Sequence, residues 1–322
     1  MQLYTDVAEQ YRDFAAHAAA GYSPCFEEWA IRVAEDAEVL GWLEELPRPK
    51  RQPNLVFAAA RWHGVDAPGP YDALRRALLD DEGDIRRTIM ERATQTNEAG
   101  RCALLLPVLA AMPQPLALLE VGAAAGLGLY PDRYSYLYGD HRIGTGGPVL
   151  DCALTGTAPP TRLPEIVWRA GLDLNPLDVT DPEDLAWLEA LVWPEQRTRR
   201  DRLRAAAAIA AADPPTLIRG DLVDDLAPLA AQAPAGATLV VFHTSVLYQV
   251  PVSRRVLFFE TVRALPGHWL SVEAPDVVTF PGLPAPPDHA LHNVVALDGR
   301  PLAWARGHGQ AMEWLPAGAA GP

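Results

Sequence analysis

Five short apolar runs in the second half of the sequence constrain its fold more than any other feature. Each closes near a glycine, a histidine or an acid, and the runs are residues 116–121, 165–174, 216–218, 237–242 and 268–272. Stretches with helical character separate several of them, notably 181–212, broken near Trp193-Pro194, and 254–265. Such alternation predicts a mostly parallel sheet with helices on both faces. We therefore expect an α/β, Rossmann-like domain over residues 113–322.

Two further segments of this half carry hairpin signals. Residues 134–150 alternate weakly and are rich in Tyr and Gly, which predicts a hairpin-like insertion. Asp298-Gly299 separates the apolar runs 292–297 and 301–306, and an Asp-Gly pair between such runs is typical of a two-residue hairpin turn. This C-terminal hairpin is expected to add an antiparallel edge to the sheet.

Residues 1–112 predict a helical N-terminal domain or cap. Val7, Tyr11 and Phe14 share one helical face, and Ser23-Pro24 is a plausible N-cap followed by proline at the first helical position. Apolar helical patterns continue to the last predicted helix, residues 85–109. These helices are expected to cover a pocket, or to form a homodimer or heteromeric partner interface.

Charge narrows the classes of partner. The chain carries 27 Lys+Arg against 41 Asp+Glu, a net charge of −14, which argues against nucleic acid and anionic membranes. No uninterrupted apolar stretch reaches ~18 residues, so no transmembrane helix is expected. Three scattered cysteines and no metal-type histidine spacing predict neither a disulfide framework nor a metal site. We expect a cytoplasmic protein with a small-molecule substrate.

The segment LALLEVGAAAGLGL, residues 116–129, is the strongest candidate for a ligand site. Ligands of open α/β sheets bind outside the carboxyl ends of strands, and small residues there allow close approach to a following helix N-terminus. Glu120, Gly122 and Gly126 have acid-x-Gly-x-x-x-Gly spacing, with Ala124 between the glycines. This pattern resembles the first motif of class I S-adenosylmethionine-dependent methyltransferases, in which a central glycine stands where Ala124 stands here. The alternative is a tight turn without a ligand.

The resemblance extends over residues 115–315 and implies roles for later residues. Asp173, ending the second strand, would accept hydrogen bonds from ribose hydroxyls, and Asp221, after the third, would contact the adenine amino group. His243, ending the fourth, would be substrate-facing or catalytic. The implied activity is methyl transfer from S-adenosylmethionine to a small molecule, on a methyltransferase-type sheet closed by a hairpin. The alternatives are that Asp173 is a turn or cap acid and that Asp221 caps a helix.

The whole chain also resembles the family called domain of unknown function 2332. The matching segments are TQTNEAGR at residues 94–101, LLEVGAAAGLGL, GLDLNPLDV at residues 171–179 and VVFHTSVLYQ at residues 240–249. That resemblance implies a methyltransferase-like architecture and little about chemistry.

Five residues are candidates for catalysis. His243 is expected to be a general base, because histidine titrates near neutral pH, or to satisfy a backbone carbonyl. Tyr248 would orient a substrate or pack in the core, and Glu273 would face the pocket or cap a helix. Glu98 and Arg101 belong to a polar cluster within the predicted helix 85–109. That cluster either lines a cleft or forms an exposed salt-bridging face.

Two other functions compete with methyl transfer. The first is cofactor-free acid–base or elimination chemistry on a metabolite, carried by Glu98, Arg101, His243 and Glu273 in the same fold. The second is a non-catalytic partner subunit that uses a degenerate fold to bind an enzyme. Ala124 motivates both, since a methyl group stands where the resembled motif has glycine.

Overall fold

A computed structural model describes residues 6–316 of the chain. These residues form two compact units. The first comprises the residues up to Thr96 together with Thr180–Asp201, and the second comprises Asn97–Val179 together with the residues from Arg202 onward. The units differ from the predicted division after residue 112, since residues 97–112 group with the sheet. The domain assignment itself stays a prediction.

The first unit is helical, as its sequence predicts. Its α-helices are α1 (Val7–Asp13), α2 (Pro24–Val33), α3 (Ala37–Glu44), α4 (Pro53–Trp62), α5 (Tyr71–Leu79) and α6 (Asp84–Glu91). A π-helix follows α1 at Phe14–Ala19, and a 3-10 turn covers Arg48–Lys50. The predicted cap is confirmed, because the Ser23 hydroxyl accepts the N–H of Phe26 at 3.2 Å. Helix α8 (Pro182–Leu191) also belongs to this unit.

The predicted helix over residues 85–109 is wrong as a continuous element. Helix α6 ends at Glu91, a 3-10 turn covers Ala99–Arg101, and α7 covers only Cys102–Leu109. The intervening Thr and Asn residues have low helix propensity and compete for backbone hydrogen bonds. Asn97 and Arg101 therefore do not share one helical face. Helix α7 is apolar all round and buried within the second unit.

A nine-stranded sheet forms the framework of the second unit. Five strands are parallel neighbours in the order β9-β8-β1-β6-β7, and all five were predicted. They are β1 (Leu116–Val121), β6 (Ile166–Asp173), β7 (Thr216–Arg219), β8 (Thr238–Thr244) and β9 (His268–Glu273). Helix α9 (Arg197–Ala212) includes the boundary between the units at Arg202, and α10 (Leu226–Ala230) and α11 (Val252–Ala264) belong to the second unit. The break between α8 and α9 confirms the one predicted near Trp193-Pro194. The predicted α/β, Rossmann-like class is confirmed.

The segment between β1 and β6 departs from a simple strand–helix–strand unit. Instead of the predicted helix after the glycine turn, a 3-10 turn covers Leu127–Leu129. Glycine has a low helix propensity, and a proline at position 131 follows closely. A small three-stranded sheet comes next, formed by β2 (Ser135–Tyr138), β3 (His141–Ile143) and β4 (Val149–Asp151). The β2–β3 pair confirms the predicted hairpin-like insertion.

The C-terminal hairpin is present but does not form the edge of the sheet. Strands β10 (Asn293–Leu297) and β11 (Arg300–Ala305) are antiparallel, and β10 pairs with β9. Beyond β11 lie β12 (Ala311–Trp314) and β5 (Ala153–Thr155), which is the edge strand. The sequence signal was local to the Asp-Gly turn, so it could not reveal the two short strands outside it.

The core of the second unit surrounds its central strands. All residues of β1 are buried, and all but the first residue of β8 are buried. Leu119 and Val241 belong to one apolar cluster with Phe258 and Trp269. Because both faces of these strands are covered, their carboxyl ends are held rigidly. Within residues 6–316, no helix has the length and apolar character needed to cross a membrane.

Candidate functional site

The candidate site lies at the carboxyl ends of the parallel strands of the second unit. From β1 the strand order runs to β6 and β7 on one side and to β8 and β9 on the other. Ligands of open α/β sheets bind at such a switch point. Two chain segments flank it, the turn Gly122–Gly126 after β1 and the loop Ser245–Gln249 after β8.

Three alternating residues of the turn after β1 have left-handed backbone conformations. The φ angle is 70° at Gly122, 49° at Ala124 and 71° at Gly126. Glycine adopts such angles freely, whereas a residue with a Cβ is strained by about 1–2 kcal/mol. Ala124 therefore follows the backbone course expected of a glycine, despite its methyl group.

Asp173 lies beside this turn, at the end of β6, as predicted. Its Oδ2 accepts the N–H of Ala124 at 2.8 Å, and its Oδ1 accepts the N–H of Asn175 at 2.7 Å. The carboxylate thus holds the turn after β1 and the loop after its own strand together. These contacts are those of a turn acid, and the ribose-binding role stays a prediction.

Other amides of the turn also have protein partners. Asn97 Oδ1 accepts the N–H of Ala125 at 3.0 Å, and the carbonyl of Leu172 accepts the N–H of Gly122 at 2.8 Å. A Cβ added at Gly122 would lie 2.6 Å from a methyl carbon of Val246. Glycine is therefore required at position 122 by both φ and space, and the two flanking segments pack directly on each other.

Glu120 is the most unusual ionisable group of the site. Its side chain is buried on β1, and its Oε2 has no hydrogen-bond partner among residues 6–316. A Cβ added at Gly128 would lie 2.5 Å from its Oε1, so the carboxyl group needs glycine there. Burial raises the pKa of Glu120 to about 8; the positive charge of Arg101 opposes this shift, and Asp173 adds to it. A buried carboxyl group of this kind is typical of acid–base and ligand sites.

Arg101 joins the site from the 3-10 turn that precedes α7. Its Nε donates to the carbonyl of Gly307 at 2.9 Å, and its Nη1 donates to the carbonyl and hydroxyl of Thr244 at 2.8 and 3.2 Å. These bonds fix the guanidinium between the end of β8 and the turn that follows β11. Its positive charge acts on both Glu120 and Tyr248.

Glu98 has the contacts of a structural acid. Its side chain is buried, and its Oε1 accepts the N–H of Gly100 at 2.9 Å and Nε of Arg202 at 2.7 Å. It therefore begins the 3-10 turn that carries Arg101. The salt-bridging alternative describes it better than cleft lining, although the ion pair is buried rather than exposed. Its catalytic role stays a prediction.

His243 does not have the setting expected of a general base. The residue is fully buried on β8, and both ring nitrogens are bonded. Trp269 Nε1 donates to its Nε2 at 3.0 Å, and its Nδ1 lies 2.8 Å from Glu273 Oε1. Because the indole can only donate, Nε2 must accept and Nδ1 must carry the proton. His243 therefore positions Glu273 and does not present a nitrogen to a substrate.

Glu273 organises the loop after β8. Besides His243, its Oε1 accepts the N–H of Val246 at 2.8 Å and of Leu247 at 3.1 Å. From its buried position, Glu273 thus holds the start of the 3-10 turn Leu247–Gln249, and its pocket-facing role stays a prediction. Tyr248, in the same loop, is half exposed, and partial burial raises its pKa while Arg101 opposes the shift. Of the two alternatives for Tyr248, this exposure favours substrate contact over core packing.

Asp221 is occupied by contacts near its own loop. Its Oδ1 accepts the N–H of Val223 at 2.7 Å and forms an ion pair with Arg254 on α11. Burial alone would raise the pKa of Asp221, but hydrogen bonds from Val223 and Arg254 outweigh it, so the pKa lies below its usual value. Helix α10 begins after Asp225 and has no side-chain cap, so Asp221 is a turn acid rather than a helix cap. The adenine role stays a prediction.

Two residues of the site were missed or undervalued from sequence. Ser245 follows β8 with φ of 54°, and its hydroxyl accepts Nδ2 of Asn293 at 3.2 Å. Asn293 begins β10, which is antiparallel to β9, so its start lies at the same edge as the carboxyl ends of the parallel strands. The Asp-Gly hairpin signal could have indicated this placement. Within the described residues, no group of three or more His, Cys, Asp or Glu is arranged to hold a metal ion.

The fold and this site define the chain as a Rossmann-like α/β protein with a candidate ligand site at its switch point. A family model described as "Uncharacterized protein conserved in bacteria (DUF2332)" matches residues 8–314. The chain therefore belongs to this family, as the sequence resemblance predicted. The methyltransferase resemblance stays a prediction. No curated protein and no solved structure matches the chain.

Proposed function

We propose that the chain transfers a methyl group from S-adenosylmethionine to a small molecule at the switch point between β1 and β8. The observation that carries this proposal is the left-handed backbone at Gly122, Ala124 and Gly126, next to the carboxylate of Asp173. A strained alanine persists where the surrounding structure or the function requires one backbone course. That course follows the pattern of the cofactor-binding turn that the sequence resembles.

The residues present fit this cofactor. Asp173 offers a carboxylate to ribose hydroxyls, and the buried Oε2 of Glu120 can bond a polar ligand group. Asp221 would serve the adenine amino group in competition with its ion pair to Arg254. When bound, S-adenosylmethionine supplies an electrophilic methyl group on a sulfonium centre.

The chain's own contribution is orientation and proton exchange. Glu120 exchanges a proton near neutral pH, since its pKa is about 8, and Arg101 favours its ionised form. Its carboxyl group replaces His243 as the candidate acid–base group, because both nitrogens of His243 are bonded. Tyr248 and Ser245 supply hydroxyl groups for orienting an acceptor.

Titration calorimetry with S-adenosylhomocysteine tests the proposal. Wild type should bind, and Asp173→Asn should weaken binding by about tenfold or more, because a charged hydrogen-bond acceptor is lost. Asp72→Asn, an exposed change on α5 in the first unit, is the matched control and should leave binding unchanged. Gly126→Val should abolish binding, since a Cβ there would meet Pro215 at 3.1 Å. If the wild type shows no binding heat and no thermal shift, methyl transfer from this cofactor is excluded.

Cofactor-free acid–base chemistry is a second candidate, and one observation favours it. Backbone N–H groups of the turn, including those of Gly122, Ala124 and Ala125, already have protein partners, while Glu120 titrates near neutral pH. If S-adenosylhomocysteine does not bind, but a metabolite is converted and Glu120→Gln abolishes that conversion, the second candidate is favoured.

The net charge of −14 supports a small-molecule substrate rather than a polyanion. A role as a homodimer or heteromeric partner through the N-terminal helices, and a cytoplasmic location, stay predictions.

A further inference from the structure

We propose that Arg101, Ser245 and Asn293 form a subsite that binds a carboxylate group of the small-molecule substrate. This inference rests on the proposed function in that it places the substrate at the switch point, and it names the chemical class of that substrate. Three donor side chains carry it, brought together from the 3-10 turn before α7, the loop after β8 and the start of β10.

The hydroxyl of Ser245 is prepared to donate. Its Oγ accepts Nδ2 of Asn293 at 3.2 Å, so its own proton is directed toward another group. Asn293 is buried, whereas Ser245 is partly exposed. The φ of 54° places this serine in a conformation that residues with a Cβ rarely adopt. Strain of this kind is concentrated at functional sites.

Arg101 adds a fixed positive charge to the same place. Its Nη1 donates to the carbonyl of Thr244, the residue before Ser245, at 2.8 Å. Its Nε donates to the carbonyl of Gly307, and a Cβ added at Gly307 would lie 3.3 Å from Nδ2 of Asn293. A guanidinium, a hydroxyl and an amide N–H together match a carboxylate, which only accepts hydrogen bonds.

Two nearby carboxyl groups do not contradict this assignment. Burial raises the pKa of Glu120 to about 8, so at neutral pH this carboxyl group is largely protonated and adds little negative charge to the subsite. Glu273 is buried, and its Oε1 accepts His243, Val246 and Leu247. Its Oε1 is therefore engaged within the fold.

The hydrogen-bonded side chains of Trp269, His243 and Glu273 hold Ser245 in place. Glu273 fixes the two amides that follow Ser245, and the N–H of Ser245 itself donates to the carbonyl of Val272 at 2.8 Å. Both neighbours of the histidine ring are buried, so these three side chains are shielded from solvent. His243 and Glu273 are therefore positioning residues, and Ser245 is the group that meets the ligand.

Nuclear magnetic resonance titration of the full-length protein with benzoate and with benzamide tests the subsite. These two probes have the same ring and differ in charge at the carboxyl position. Benzoate should shift the backbone amides of Thr244, Ser245 and Gly307 with about tenfold higher affinity than benzamide. Equal affinities, or shifts confined to other residues, would overturn the subsite.

Two variants separate the subsite from folding. Asn293→Asp has nearly the same shape but adds a negative charge, and it should abolish the preference for benzoate. Ser245→Gly tolerates the left-handed backbone and removes the hydroxymethyl group, so it should fold and bind benzoate several-fold more weakly. Arg142→Gln, exposed on β3, is the control and should bind like the wild type. Benzoate binding that survives unchanged in both site variants would overturn the proposal.

S-adenosylhomocysteine binding by the same proteins distinguishes the two proposals. If wild type fails to bind it but shows the benzoate shifts at Ser245, the cofactor assignment fails and the carboxylate subsite stands. If wild type binds it and benzoate causes no shift at these residues, the subsite fails alone.

Discussion

The indole N–H of Trp269 donates to Nε2 of His243 at 3.0 Å, and this bond decides what the histidine can do. Because the indole donates to Nε2, the proton of the neutral ring is on Nδ1, which lies 2.8 Å from Glu273 Oε1. The ring therefore orients Glu273, and Glu273 in turn fixes the loop after β8. A buried hydrogen-bond network of this kind stabilises the fold while all its polar groups are paired, and removing one side chain destabilises the fold.

Replacing His243 with alanine should reduce stability rather than chemistry alone. We expect His243→Ala to lower the free energy of unfolding by about 3 kcal/mol, from a cavity and two unpaired buried groups. Urea denaturation measures this, with exposed His141→Ala as the control. Unchanged stability combined with lost turnover would instead identify His243 as a general base.

Replacing Ala124 with glycine should increase the stability of the fold. At φ of 49° the alanine is strained, so Ala124→Gly should raise the free energy of unfolding by about 1 kcal/mol. The neighbouring Ala123→Gly should lower the free energy of unfolding by a similar amount. Ala123 has no positive φ to relieve, and its methyl group packs closely on Gly171, where an added Cβ would lie 2.5 Å from it. Two losses in thermal unfolding would show that the turn carries no strain at Ala124.

Glu120→Gln should change how stability depends on pH. Because the folded pKa of about 8 exceeds the usual 4.5, wild-type stability should fall as pH rises from 4.5 to 8 and level off above. Gln does not titrate, so the advantage of the variant should grow over this range, with an upper limit of about 5 kcal/mol. Chemical denaturation at several pH values measures it, with exposed Glu260→Gln on α11 as the control. Parallel curves for Glu120→Gln and wild type would contradict the raised pKa.

Gly122 and Val246 should be energetically coupled. Gly122→Ala combines a φ of 70° with a 2.6 Å approach to Val246, so we expect a loss of about 3 kcal/mol in the free energy of unfolding. Val246→Ala in the same chain should recover the part due to the clash and leave the part due to φ. A double-mutant cycle measures this coupling. Strictly additive losses would mean that the turn and the loop after β8 do not pack together.

Much of the sheet could be predicted because its strands are short, apolar and bounded. The ends of β1 and β6 follow from Gly122 and Asp173, whereas β8 continues through the buried His243 to Thr244. The same logic brought Asp173 to the turn after β1, because the carboxyl ends of parallel strands meet at one edge of a sheet. The short apolar runs therefore predicted the fold class and the edge of the sheet at which the candidate site lies.

What could not be predicted depends on tertiary contacts. The partners of His243 come from β9, so its sequence neighbours do not reveal that both nitrogens are bonded. The end of α6 and the separate start of α7 depend on Glu98 turning back to the N–H of Gly100. The left-handed backbone of Ser245 depends on contacts with β9 and β10, and a serine in that conformation has no local signature.

The outermost pairing of the large sheet has a consequence for how the chain acquires its fold. Strand β5 pairs in parallel with β12, so Ala153–Thr155 must wait for Ala311–Trp314. During synthesis, β5 leaves the ribosome long before its partner exists, with its backbone amides and carbonyls exposed to other chains. Such distant pairing slows folding. Removing β12 would therefore leave both β11 and β5 with unpaired edges, and such edges pair readily with other chains.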